Sequence, residues 1–233
     1  MKKKYFKVYS MRKIIDLSLG LEDGMITYPT SVHKTFESSI VGRIQIEGRE
    51  TRKFTMGSHC GTHVDAPKHF LLNSKSVDQF DVNDLVGEAI LCDLGILKPG
   101  TIIEIEDIRS ALEEVSIENY NKIVFKTSWS RFWNTSQYYK DWPYFSSEAI
   151  DFIISSNIKL IGLDFPSPDS AYFGDDCSLD SPNHKKIFSA NIILAEYLTN
   201  LDKLIPGKIF IMVMPLKLIN FDGAPSRVTA YNL

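Results

Sequence analysis

The stretch HCGTHVDAPKH, residues 59–69, places three histidines and an aspartate within eleven positions of a 233-residue chain that has five histidines in all. At that frequency an eleven-residue window should hold about a quarter of a histidine, so the cluster departs strongly from composition. His59, Gly61, His63, Asp65, Pro67 and His69 all occupy odd positions. An extended backbone, whose side chains alternate between two faces, would present them together. Ser58, Cys60, Thr62, Val64, Ala66 and Lys68 would point the other way, which makes Cys60 a small packing residue rather than a ligand or nucleophile. A helix would also bring His59 and His63 together, as in the zinc-binding HExxH motif. Cys60, however, stands where that motif needs its glutamate, and Gly61, Thr62, Val64 and Pro67 are poor helix-interior residues. Gly61 leaves the middle of the extended face bare, with room for an ion and its bound water.

The nitrogen and oxygen donors of this face suit Zn²⁺, Mn²⁺ or Fe²⁺ better than Ca²⁺ or Mg²⁺, which prefer all-oxygen shells. Three ligands from one short stretch cannot close a site, and the search for more is short. His184 follows Ser181-Pro182, an N-cap and first-turn proline that announce a helix. Glu196 ends the apolar run NIILAE, where a carboxylate is costly to bury unless it is paired or metal-bound. With Asp65 or Glu196 bridging, the set His59, His63, Asp65, His184 and Glu196 could hold two ions ~3.5 to 4 Å apart. His33, beside Lys34 in a polar segment, reads as a surface residue outside the site. The competing reading is a chance cluster of surface histidines.

The rest of the chain sets the frame. Its length suits one globular domain over residues 1–233, since single domains usually hold ~100 to 250 residues. Strands are expected at 13–19, through 43–58 (RIQIEG and RKFTMGS), and at 89–96, 122–128, 159–165, 191–196 and 208–218, with helices near 105–115, 147–156 and from Ser181. This is a mixed α/β pattern. The formal net charge is −3 and the basic residues are scattered, which gives no electrostatic footprint for nucleic acid or an anionic membrane surface, so a small-molecule partner is expected. No apolar run reaches the ~20 residues of a membrane span, and Arg12, Lys13 and Asp16 interrupt any signal-peptide core. Cys60, Cys92 and Cys177 form no disulfide framework, and a cytoplasmic location is expected. Cys92 reads as core. The aromatic stretch 128–145 reads as a long loop that lines a flat aromatic pocket or forms a dimer contact, and Asp175 and Asp176 as a solvated acidic loop.

Residues 59–70, HCGTHVDAPKHF, resemble the HxGTHxDxPxH signature of the cyclase-like metal-dependent hydrolases, a family that includes bacterial kynurenine formamidases and isatin hydrolases. The resemblance extends through DGMITYP (23–29), GLDFPSPD (162–169), the spacing of His184 and Glu196, and PLKLINFDGAPSRV (215–228). It implies a single swivelling β/β/α domain, assembled as a homo-oligomer, a dimer or tetramer. It implies two divalent ions, most simply Zn²⁺, with Mn²⁺ or Fe²⁺ as alternatives. His59, His63 and Asp65 would hold the first ion, and Asp65, His184 and Glu196 the second, with Asp65 and Glu196 bridging. His69 would be the proton donor and acceptor, and Tyr28 would pack on the substrate at a position usually held by tryptophan.

The chemistry can be argued from the residues as well. Cleaving a formamide needs a nucleophile usable at neutral pH, a partner for the developing oxyanion and a proton for the departing nitrogen. Metal ions supply the first two by lowering the pKa of a bound water toward ~7 and polarising the carbonyl. His69, with a free imidazole pKa of about 6.5, could carry the proton. Three readings follow. The first is an arylformamidase acting on N-formylkynurenine or another flat aromatic amide. The second is the same site acting on a cyclic amide such as isatin or another carbonyl compound. The third is a non-catalytic metal-binding protein, which the spare histidine disfavours, because structural sites favour closed four-ligand coordination.

Overall fold

The structure is a computed structural model that describes residues 12–113, 115–171 and 180–233; Asp175, Asp176 and Cys177 lie outside the described residues. In chain order its strands are β1 (Ile15–Asp16), β2 (Glu37–Gly42), β3 (Thr51–Thr55), β4 (His63–Asp65), β5 (Val86–Asp93), β6 (Ile102–Ile103), β7 (Lys122–Lys126), β8 (Tyr144–Phe145), β9 (Leu160–Leu163), β10 (Ile193–Glu196), β11 (Gly207–Pro215) and β12 (Gly223–Asn232). The helices are α1 (Ile44–Glu47), α2 (Val82–Leu85), α3 (Ile105–Leu112), α4 (Ser147–Ser155) and α5 (Pro182–Ser189).

The main sheet has the order β1-β12-β11-β5-β7-β9-β10-β4, and β4 pairs back onto β12. Strands β12 through β4 thereby close into a ring, with β1 on the rest of the β12 edge. β5, β7, β9 and β10 run parallel, which requires crossovers, and α3, α4 and α5 lie in those connections. Alternation along the strands separates two cores. Ala89, Leu91, Val124 and Leu160 join Val64, Ile211 and Val228 in one, while Ile90, Cys92, Ile123, Phe125 and Leu163 join Ile108, Ile150, Ile153 and Ile187 from the helices in the other. This is the mixed α/β, β/β/α layering expected of the sequence, and Cys92 is fully buried as expected.

Local chemistry explains where the elements depart from the sequence reading. The RIQIEG segment is not strand: Ile44–Glu47 forms one helical turn, closed by Gly48 in the left-handed region at φ 72°. The apolar spacing around 105–115 gives an eight-residue helix with Ile108 and Leu112 buried four apart. Strand β12, ten residues long, escaped the sequence reading because Gly223, Pro225 and alternating Arg227 and Thr229 break its apolar pattern. The aromatic stretch 128–145 does not itself line the pocket, and its largest side chains turn inward. Trp129, Tyr138, Trp142 and Phe145 are each no more than 1% exposed, with Trp129 Nε1 donating to the Tyr138 carbonyl at 2.9 Å and Trp142 Nε1 to that of Asp169 at 2.7 Å. Each indole is buried because its one polar atom has a partner.

Asp164, just past β9, ties that strand end to β7: its Oδ1 accepts from the Thr127 backbone N–H at 2.9 Å and from the Thr127 hydroxyl at 2.6 Å. Burial nevertheless outweighs these bonds and pushes its pKa up to about 6. Because the unfolded value lies near 3.9, the stabilising contribution of the neutral acid is full below about pH 4 and is lost as pH rises through about 6. Asparagine keeps an acceptor and has no charge to bury. The unfolding free energy of Asp164→Asn, measured by urea denaturation, should therefore gain on that of the parent by about 3 kcal/mol between pH 4 and pH 7.5.

Candidate metal centre and active site

The site is built on β4, which is only three residues long and has main-chain partners on both edges. Its register sets Asp65 opposite Leu194 and His63 opposite Glu196 on β10, and Asp65 opposite Gly223 on β12. Directly opposed residues are neighbours across a ladder, so Glu196 meets His63 without any loop to position it. The extended geometry expected for all of 59–69 holds only for His63–Asp65. His59 is brought in by a turn through Gly61 at φ 64°, and His69 by a 3-10 turn over Pro67–His69. Gly61 does not leave room for an ion. A Cβ there would stand 2.5 Å from Leu21 Cδ2, so the glycine serves the turn and the close approach of Leu21. Gly223 serves His59 similarly, since its Cβ would fall 2.6 Å from His59 Cε1 and 2.8 Å from the Val64 carbonyl. Cys60 is buried with its Sγ 4.0 Å from Met25 Sδ, a packing residue as expected.

His184 sits in the first turn of α5, which begins at Pro182 as the sequence suggests. Ser181 makes no capping bond. Asp169 caps the helix in its place, taking the Asn183 N–H at 2.7 Å and the His184 N–H at 3.1 Å, and its Oδ2 also lies 2.7 Å from His184 Nδ1. One carboxylate thus starts the helix and aims the imidazole.

The three histidines share a pattern. Each has one ring nitrogen bonded to an oxygen outside the cluster and the other directed at Asp65 or Glu196. His63 Nδ1 lies 2.8 Å from the Gly61 carbonyl, with Nε2 3.0 Å from Asp65 Oδ1 and 3.6 Å from a Glu196 oxygen. His184 Nδ1 has Asp169, with Nε2 3.6 Å from Asp65 Oδ2 and 3.5 Å from Glu196 Oε1. His59 Nε2 lies 2.8 Å from Asp222 Oδ2, with Nδ1 2.6 Å from Asp65 Oδ1. Metal-bound histidines show this arrangement, in which the outer oxygen fixes the tautomer and leaves a lone pair for the ion. A second observation agrees: Glu196 Oε1 is buried and has no hydrogen-bond partner among the described residues. A buried carboxylate oxygen without a hydrogen bond, its nearest imidazole nitrogen 3.5 Å away, is expensive, and a cation would satisfy it. The residues fit a divalent ion.

The charges of the residues themselves favour protonated imidazoles at His59 and His184. Burial works against charge on His59, but Asp65 and Asp222 outweigh it and raise its pKa to about 10. Burial opposes charge on His184 too, and Asp169, Asp65 and Glu196 push it well above the usual imidazole value. Asp65 is held well below the usual carboxylate range, burial being outweighed by His59 and His63. Glu196 is raised, by burial and by the charge on Asp65.

These groups open onto a cavity of about 230 Å³ lined by Tyr28, His33, His59, His63, Asp65, His69, Phe70, His184, Glu196 and Tyr197, among others. All seven residues singled out in the sequence for the site therefore face one cavity. Tyr28 packs against Tyr139 and Trp142 at ring-centroid distances of 5.7 and 5.9 Å, so the buried aromatic stretch backs the pocket from behind. His69 stacks on His59 at 3.9 Å and 27°, and burial lowers its pKa against the pull of Asp222. His33 is the correction: it lines the cavity, 5.2 Å from the Tyr28 ring and 6.0 Å from that of His59, with Nδ1 2.6 Å from Thr30 Oγ1. The sequence reading also missed Asp169 and Asp222, whose only trace is their place in the proline-containing segments GLDFPSPD and NFDGAPS. Replacing Asp169 by asparagine should weaken metal binding by about 10- to 100-fold, as losses of such outer partners do, and competition with a chromogenic chelator measures it.

Comparison with known proteins follows this geometry. Residues 15–170 match the Cyclase family, described as "Putative cyclase". The chain is 29% identical over 213 residues to the kynurenine formamidase of Bacillus cytotoxicus, covering 91% of this chain and 94% of that protein. It is 28% identical over 219 residues to the kynurenine formamidase of Bacillus anthracis, covering 92% and 95%. A solved structure described as a potential metal-dependent hydrolase with cyclase activity superposes with a TM-score of 0.75 at 26% identity, over 96% of this chain and 99% of that one. Isatin hydrolase A from Labrenzia aggregata shares the fold, with a TM-score of 0.81 at 24% identity over 94% and 93%. The chain belongs to the Cyclase family of hydrolases.

Proposed function

We propose that this hydrolase cleaves the amide C–N bond of a flat arylformamide of the N-formylkynurenine kind, giving formate and the arylamine. The observation that carries the reading is the shared pattern of His59, His63 and His184, each fixed from outside and aimed at Asp65 or Glu196, beside a fourth imidazole on the same cavity wall. The relatives named kynurenine formamidase, matched over 91% of this chain, support it. His59, His63 and Asp65 would hold one ion and Asp65, His184 and Glu196 a second, Zn²⁺ suiting the donors best and Mn²⁺ or Fe²⁺ being the alternatives. When bound, such ions supply an activated water and a Lewis acid for the carbonyl oxygen.

The remaining work falls to the chain. Tyr28, backed by Tyr139 and Trp142, offers a rigid aromatic wall for the aryl ring. His69 accepts the proton released as water adds to the formyl carbon and returns it to the nitrogen as the C–N bond breaks, so the leaving group departs as a neutral amine. Its lowered pKa suits the task, because an imidazole neutral at pH 7 is ready to act as base. A second reading is hydrolysis of a cyclic amide such as isatin, since the resemblance to the family puts tryptophan at the position of Tyr28 in formamidases and this departure weakens the first reading.

Metal per chain measured by mass spectrometry, with N-formylkynurenine and isatin assayed side by side with and without chelator, tests both. Turnover of N-formylkynurenine that disappears with the metal and returns on adding it back is expected. Turnover untouched by complete metal removal overturns the reading. His69→Ala should keep its metal and lose about 10²- to 10⁴-fold in kcat. Oxygen or nitrogen atoms of His59, Asp65 and His69 lie within 4.8 Å of one another, so loss of metal in this variant would instead make His69 a ligand.

A further inference from the structure

We infer that Asp222 is a positioning residue that sets the tautomers of both His59 and His69, making one a ligand and the other a base. The inference rests on the proposed reading for the role of His69. It begins with the backbone. Asp222 sits in the turn before β12, directly preceding Gly223, which pairs with Asp65. Its carbonyl accepts the Ala66 N–H at 2.8 Å, the Phe221 carbonyl accepts that of Val77 at 3.0 Å, and the Asn220 N–H reaches Asp78 Oδ1 at 2.8 Å. The carboxylate is therefore carried by a turn tied at successive residues to the segment that bears the site.

A single oxygen, Oδ2, serves two rings. It lies 2.8 Å from His59 Nε2 and 3.4 Å from His69 Nδ1, and the two imidazoles stack face to face at 3.9 Å. An ionised carboxylate is acceptor-only, so each nitrogen facing it must carry its hydrogen. That places a His59 proton on Nε2; Nδ1, 2.6 Å from Asp65 Oδ1, faces a carboxylate as well, so a cation taken up beside Asp65 would displace the Nδ1 proton and leave the one Asp222 holds. Asp222 likewise places the His69 proton on Nδ1 and leaves Nε2 as the basic nitrogen. The logic is that of the aspartate in a Ser-His-Asp triad, which holds the imidazole in its working tautomer, here applied to two rings at once. Asp222 also keeps the two rings side by side, with a hydrogen bond to His59 and a 3.4 Å contact to His69.

Long-range ¹H–¹⁵N spectra of the zinc-loaded protein read the tautomers directly. In the parent, His59 should be protonated on Nε2 and His69 on Nδ1. Finding His69 protonated on Nε2 in the parent overturns the inference without recourse to any variant. In Asp222→Ala, His69 should populate both tautomers, kcat should fall by on the order of 10²-fold with KM within about threefold, and zinc affinity should weaken by about 10-fold or more. Asp222→Asn, which keeps an acceptor without the charge, should fall between. A variant with the parent's tautomers and kcat also overturns the inference. A parent that loads zinc with these tautomers yet hydrolyses neither amide would sink the formamidase reading while leaving the assignment of Asp222 standing.

Discussion

Everything at the site depends on one buried carboxylate. Asp65 is 1% exposed and has His59 and His63 on one oxygen, at 2.6 and 3.0 Å, and His184 3.6 Å from the other. A lone carboxylate in that position would be penalised by several kcal/mol, and three imidazoles repay it only if all of them stay in place. The main chain enforces this: β4 has pairing partners on both edges, so three residues of strand suffice to fix Asp65 and His63. The surrounding carboxylates let the His59 and His184 imidazoles hold protons well above the usual range. Loading a cation therefore means expelling those protons, which couples metal binding to the protonation of the whole cluster.

Around this centre three outer contacts do the aiming. Asp169 and Asp222 hold His184 and His59, and the Gly61 carbonyl holds His63, while Gly223 leaves the space that the His59 ring occupies and Gly61 the space that Leu21 occupies. The mass of aromatic side chains in residues 128–145 works one layer further out. It stiffens the wall that carries Tyr28 and does not touch the cavity directly, which assigns to these indoles a packing role that composition alone would give to substrate contact.

How much of this was readable in the sequence follows from the physics of each part. The chemistry-bearing residues were legible because histidine, aspartate and glutamate are rare in apolar runs, and a carboxylate at the end of NIILAE needs a reason to be there. The parity of residues 59–69 led to the right residues through only partly right geometry: the period of two holds for His63–Asp65, while a glycine turn and a 3-10 turn bring in the ends. Asp169, Asp222 and His33 were not legible. An aspartate that caps a helix and one that receives two imidazoles look alike in a proline-containing loop, because the distinction lies in partners 15 and 163 residues away. The strands of the parallel half announced themselves as continuous apolar runs, buried on both faces. Strand β12 did not, because Gly223, Pro225 and the polar positions Arg227, exposed, and Thr229, half-buried, interrupt its apolar pattern.

The ring closure by β4 has a consequence for how the cation site assembles. The strand that carries His63 and Asp65 is held by β10 near residue 195 and by β12 beginning at Gly223, so neither of its edges is paired to a neighbour in sequence. Pairing across so long a separation costs more loop-closure entropy than forming a local helix or hairpin. The cation site is therefore a product of tertiary closure: the histidine segment supplies the donors, and strands far along the chain give them their places.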